Sequence, residues 1–231
     1  MNHLIKNTFG TCHDPSCQLC GVSKVIEDQS TILLDYLDMI LDLIELEESR
    51  GEPKPLKLAI MGRDPYPKDA QGIPFAKPTI LQTANSLAGG KIFDSLGLDI
   101  RFWQGKDIRI LFKKLLKQRI VFLNASYVFL GKGPLAQRKH GIYLHCANTV
   151  NSVIIKYTEN VVLCGEATKG YKWANGLTTK AFLPQKFHCA PHPSARAYNR
   201  NETDFQKYWA PRALVETFGL QTEMLTVNHE L

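Results

Sequence analysis

Four short, mostly apolar runs limit this fold more tightly than anything else in the chain. They are LKLAIMG from Leu56, RIVFLNAS from Arg119, NVVLCGE from Asn160 and KFHCAPHPS from Lys186. Their apolar residues follow one another instead of alternating with polar ones, so strands formed there need cover on both faces. Helical spacing fills the intervals. In the segment from Ser30 to Glu48, Leu33, Leu37, Ile40, Leu41 and Ile44 fall on one helical face, with acids on the other. The GEPKP turn, Gly51 to Pro55, ends that helix. Gln82–Ala88, Lys106–Gln118, His145–Tyr157, Ala167–Ala174 and Glu202–Phe218 read as further helices. The order is one helix, then strand and helix four times over. It predicts an α/β fold: a central four-stranded parallel sheet flanked by helices on both faces. With 231 residues, 44% of them hydrophobic, the chain can bury a substantial core. No repeat or low-complexity stretch divides it, so residues 30–231 read as one domain behind an N-terminal extension, residues 1–29.

Lys and Arg number 28 against 22 Asp and Glu, a net charge of +6. Such a surface suits a polyanionic partner but serves equally as plain solvated surface. The start, MNHLIKNTFG, lacks the apolar run of a secretory signal, and Asp35, Asp38 and Asp42 interrupt the longest apolar stretch. A cytoplasmic, non-secreted protein without a membrane span is expected. Six cysteines are too few for a disulfide scaffold. Three of them, Cys12, Cys17 and Cys20, cluster with His13 in TCHDPSCQLC. That spacing fits no standard zinc pairing, so a structural metal and a metal-free flap both stand as readings. Cys146, Cys164 and Cys189 read as buried thiols.

The four strands end in GRDPYP, LNAS, CGE and PHPS. Ligands of open parallel sheets bind beyond the carboxyl ends of the strands, so Asp64, Asn124, Gly165 and His192 should meet at one cleft. Pro65 and Pro67, on either side of Tyr66, stiffen the loop that carries Asp64.

In the same order, these segments resemble the motifs of family 1 uracil-DNA glycosylases. GRDPYP is similar to their water-activating motif, GIPF to the segment bearing a base-stacking Phe, and FLNAS to their Leu-Asn segment. KHG, Lys139 to Gly141, is similar to a downstream His motif, and PHPSARAY to a His-Pro-Ser DNA-clamping loop. The resemblance runs from about Leu56 to Phe205, and details such as DPYPKD resemble the poxvirus branch.

The resemblance implies a DNA glycosylase without cofactor or metal, acting on DNA by base flipping. Asp64 would hold the attacking water and stabilise the sugar cation, while a neutral His192 would hydrogen-bond the departing pyrimidine. Asn124 would pair with uracil, Phe75 would stack on it, and Tyr66 would exclude the methyl of thymine. Gly62 and Arg63 would complete the pocket. Ser194 and Arg196 would contact DNA, and Lys139 and His140, with Lys132 and Arg138, would either follow the backbone or form a solvated loop. Arg63 stands where the family has Gln, and Pro67 where it has His. These departures leave open a modified pyrimidine of phage DNA as substrate, with a role in antiviral defence. They also leave open a DNA-binding replication subunit. A small-molecule nucleotide enzyme lacks support, because Gly131-Lys132-Gly133 has no P-loop spacing.

Overall fold

The computed structural model describes residues 31–51, 54–65, 71, 73–103, 105–131, 137–194 and 202–221. Its centre is a four-stranded, all-parallel sheet of β1 (Leu56–Gly62), β2 (Ile120–Asn124), β3 (Thr158–Cys164) and β4 (Phe187–Ala190), in the order β2-β1-β3-β4. Burial of consecutive residues along β1 and β2, and over Val161–Cys164 of β3, shows that helices cover both faces, as expected. From β1 the chain first steps to β2 on one side, then crosses to β3 on the other. The carboxyl edge between β1 and β3 is therefore the topological switch point.

Among the described residues, eight α-helices surround the sheet: α1 (Thr31–Ser49), α2 (Ile80–Ala84), α3 (Leu87–Ser95), α4 (Ile108–Lys117), α5 (Gln137–Lys156), α6 (Ala167–Ala174), α7 (Glu202–Trp209) and α8 (Ala213–Phe218). All five apolar residues expected to form the inner face of α1 are buried. Tyr36 of that helix stands edge-on to Phe112 of α4, which in turn packs on Phe122 of β2. Along the open edge of β2, the Phe122 N–H donates to the Tyr36 hydroxyl at 3.0 Å, a partner that no neighbouring strand supplies there.

Three helix boundaries differ from the sequence expectation. The single helix expected over Gln82–Ala88 is two, because Asn85 and Ser86 interrupt it. Thr79 and Gln82 cap α2 reciprocally, and the Ser86 hydroxyl accepts from the Gly89 N–H to start α3 afresh. A Cβ on Gly89 would fall 2.3 Å from the Thr83 carbonyl oxygen, so only glycine lets α3 begin that close to α2. The single closing helix is likewise two. Pro211 has no N–H to continue α7, and Arg212 turns left-handed (φ 63°), its N–H bonding to the Asp94 carbonyl. Third, α5 starts at Gln137, well before His145, so KHG lies in a helix rather than a loop. Gly141, the last residue of KHG, is a packing notch inside α5: a Cβ there would sit 2.4 Å from Cη2 of Trp173 on α6.

Cys146 and Cys164 are buried as expected. Cys189 is exposed instead, on a stretch of β4 that the helices leave only partly covered. The Cys12, His13, Cys17 and Cys20 cluster lies outside the described residues. No described helix is long and apolar enough to cross a membrane.

Candidate active site

The strand ends come together around a glycine. Gly62, the last residue of β1, pairs in register with Asn124, the last residue of β2. A Cβ on Gly62 would lie 2.9 Å from the Asn124 side-chain oxygen and 3.2 Å from Cζ of Phe75. The amide and the aromatic ring thus flank the same α-carbon. Phe75 has a left-handed backbone (φ 61°), which costs a residue of this size about 1–3 kcal/mol. A tight turn, Ala76 N–H to Ile73 carbonyl at 3.2 Å, contains it, and the ring is buried against Gly62.

The His192 ring faces Phe75, with centroids 6.0 Å apart and planes tilted by 58°. Two contacts fix its loop. The Trp209 indole N–H donates to the Pro191 carbonyl at 2.9 Å, and Gly165, at the end of β3, packs where a Cβ would be 3.1 Å from His192 Cβ. Gly165 is left-handed (φ 56°), and its N–H is tied to the Ala190 carbonyl. The His192 residue is open to solvent, yet its imidazole has enough protein around it that burial pushes its pKa down, favouring the neutral ring.

Asp64 sits two residues beyond Gly62, at the same rim. One carboxylate oxygen accepts the Leu130 N–H at 2.8 Å, and the other lies 3.8 Å from Arg63 Nε. Burial pushes its pKa up. The Leu130 hydrogen bond and the Arg63 charge pull the other way without overcoming it. Arg63 also reaches the Gly131 carbonyl through Nη2 at 3.2 Å. This loop beyond β2 therefore holds both residues, a link that the SYVFLG stretch gives no chemical hint of.

Asn124 is completely buried. Its carbonyl accepts from Asn151 Nδ2 at 2.8 Å, and the Tyr127 hydroxyl donates to Asn151 Oδ1 at 2.7 Å. The sequence reading missed Asn151, although its position was a signal. It is a polar residue on the buried stripe of α5, between Val150 and Ile154.

Other expected site residues fare differently. His140, expected at the DNA backbone, lies in α5 and is 5% exposed, so its ring is enclosed by protein in this structure. The Ser194 N–H bonds to the His192 carbonyl at 2.7 Å, leaving its hydroxyl as the group that can meet a phosphate. Lys139 lies in the first turn of α5, and its side chain is outside the described residues, as are Tyr66, Lys132 and Arg196. A separate groove of about 590 Å³ runs between α1 and α4, over Tyr36, Met39, Ile110 and Phe112, and no strand-end residue lines it.

An acid, a carboxamide, an imidazole and an aromatic face at one rim can hold a flat polar ring and stabilise opposite charges on either side of a breaking bond. Compared with protein-family profiles and with curated proteins, the chain matches none.

Proposed function

We propose that the rim at Gly62 is the base pocket of a DNA glycosylase that hydrolyses the N-glycosidic bond of an everted pyrimidine, uracil in the first place, and leaves an abasic site. The observation that carries this reading is that Phe75 and Asn124 both approach the α-carbon of Gly62, with His192 facing the same aromatic ring. The motif resemblance supports it independently.

The chemistry follows from what each group can offer. Phe75 stacks on the flipped ring, an interaction of about 1–3 kcal/mol per base. The Asn124 amide, enclosed in the free protein, offers a donor to O4 and an acceptor to N3–H of uracil once the Phe75 ring beside it moves off. Cytosine presents the reverse pattern and would leave buried groups unpaired. As the bond breaks, the sugar gains positive charge and the base negative charge. Asp64 faces the cation and orients the water with the carboxylate oxygen not held by Leu130. His192, neutral, donates its N–H to the pyrimidine oxygen, the type of preorganised contact worth about 3–4 kcal/mol. Eversion of the base costs a few kcal/mol, which the pocket must return through these contacts.

The test is base release from duplexes carrying a single uracil, thymine, cytosine or 5-hydroxymethylcytosine, by wild type and by Asp64→Asn. Uracil should be released, and the variant should be slower by roughly 10²-fold or more while binding the same duplex. Release of 5-hydroxymethylcytosine in preference to uracil would move the substrate to modified pyrimidines. Equal turnover by wild type and variant, or no release of any base, would overturn the enzymatic reading and leave a DNA-binding subunit.

A further inference from the structure

We infer that Asn151 and Tyr127 are positioning residues for Asn124 and set how strictly the pocket tells uracil from cytosine, an inference that rests on the glycosylase reading above. β2 is an edge strand. The Ala125 N–H bonds inward to the Gly62 carbonyl, so Phe122 and Asn124, of the opposite parity, turn their main-chain groups to the open edge. At Phe122 the Tyr36 hydroxyl fills the gap. At Asn124 the side chain of Asn151 takes the carbonyl, and the Tyr127 hydroxyl, besides donating to Asn151, also meets the Asn124 main chain. Asn124, Asn151 and Tyr127 are 0%, 2% and 3% exposed, so no water substitutes for these bonds from outside.

The pair thus replaces a missing neighbour strand at the one β2 residue whose side chain reads the base. Discrimination needs more than the presence of the amide. Its plane must be held, because an amide that tilts or shifts can offer its donor end where its acceptor end belongs. Gly62 holds Asn124 from the β1 side, and Asn151 and Tyr127 hold it from the other. Loss of the outer support frees the strand terminus without removing any group that touches the base.

The experiment compares single-turnover release of uracil and of cytosine from matched duplexes by wild type, Asn151→Ala, Tyr127→Phe and the double variant, with Tm measured for each. The cytosine-to-uracil release ratio should rise about tenfold in each single variant. The double variant should be no worse than the worse single one, since both break one network. Tyr127→Phe keeps the ring volume, so it decides the matter if Asn151→Ala is unfolded at the assay temperature. An unchanged ratio in a folded variant, or parallel losses on both bases, would overturn the positioning role while leaving the glycosylase reading intact. A wild type that releases neither base would remove both.

Discussion

Replacing Gly62 by alanine adds one methyl group at the point where Asn124 and Phe75 both approach the end of β1. The backbone at Gly62 is not left-handed, so alanine can adopt it and the cost is steric alone. The new Cβ would stand 2.9 Å from the Asn124 side-chain oxygen and 3.2 and 3.3 Å from two carbons of the Phe75 ring. Overpacking of this kind costs about 1–3 kcal/mol. Restricting the unfolded chain returns about 0.4–1 kcal/mol. The net loss is then roughly 1–2 kcal/mol, a Tm fall of a few degrees for a chain of this size. Activity should suffer more than stability. The amide and the ring both shift by a few tenths of an ångström, and a misplacement of about 1 Å costs roughly 10²-fold. Gly62→Ala should therefore lower kcat/KM for uracil release by roughly 10- to 100-fold while the protein remains folded at the assay temperature. Base release under kcat/KM conditions, beside a thermal melt, measures both. A folded variant with kcat/KM within about twofold of wild type, well under the tenfold that even a modest displacement should cost, would show that Asn124 and Phe75 do not share a binding surface across this residue.

The pH profile gives a second check. The proposed chemistry needs Asp64 ionised and His192 neutral; burial raises the pKa of the first and lowers that of the second. The acid limb of kcat/KM should fall between the ordinary carboxylate and imidazole values, about 3.9 and 6.5. A limb above that window would contradict these assignments. Asp64→Asn should raise Tm at pH 7, because the folded pKa is raised: the carboxylate destabilises the folded state above that pKa and has no effect below the unfolded value. The gain should fade below about pH 4, and a lower Tm at pH 7 would refute the burial argument. Tyr36→Phe keeps the ring against Phe112 but strands the buried Phe122 N–H, at a cost of about 1–3 kcal/mol in urea unfolding. An unchanged midpoint would show that the edge of β2 finds another partner.

Helix boundaries were the least legible feature of the sequence. Ser86 looks like any polar residue within a helical run until its hydroxyl is seen to cap the Gly89 amide. Gly141 gives no sign in the sequence that it lies inside a helix with Trp173 in its notch. In both cases the deciding partner lies on another turn or another helix, which linear spacing does not reveal. The exposure of Cys189 and the burial of His140 have the same origin. An apolar neighbourhood in the chain says little about whether other elements will cover a given side chain.

By itself, the sequence determined the layered architecture, because consecutive apolar residues in the first three runs need cover on both faces, which a parallel sheet between helices gives. It also determined which end of that sheet carries the polar groups, since Asp64, Asn124 and His192 each follow an apolar run by a few residues. Only the tertiary structure decided how those groups are held. The amide of Leu130 on Asp64, the notch at Gly62 between Asn124 and Phe75, and the side chain of Asn151 on the outer edge of β2 all join residues distant in the chain. The physical reason is the range of the forces. Burial follows from local pattern, whereas hydrogen bonds and van der Waals contacts act over about 3–4 Å and exist only once the strands and helices have packed.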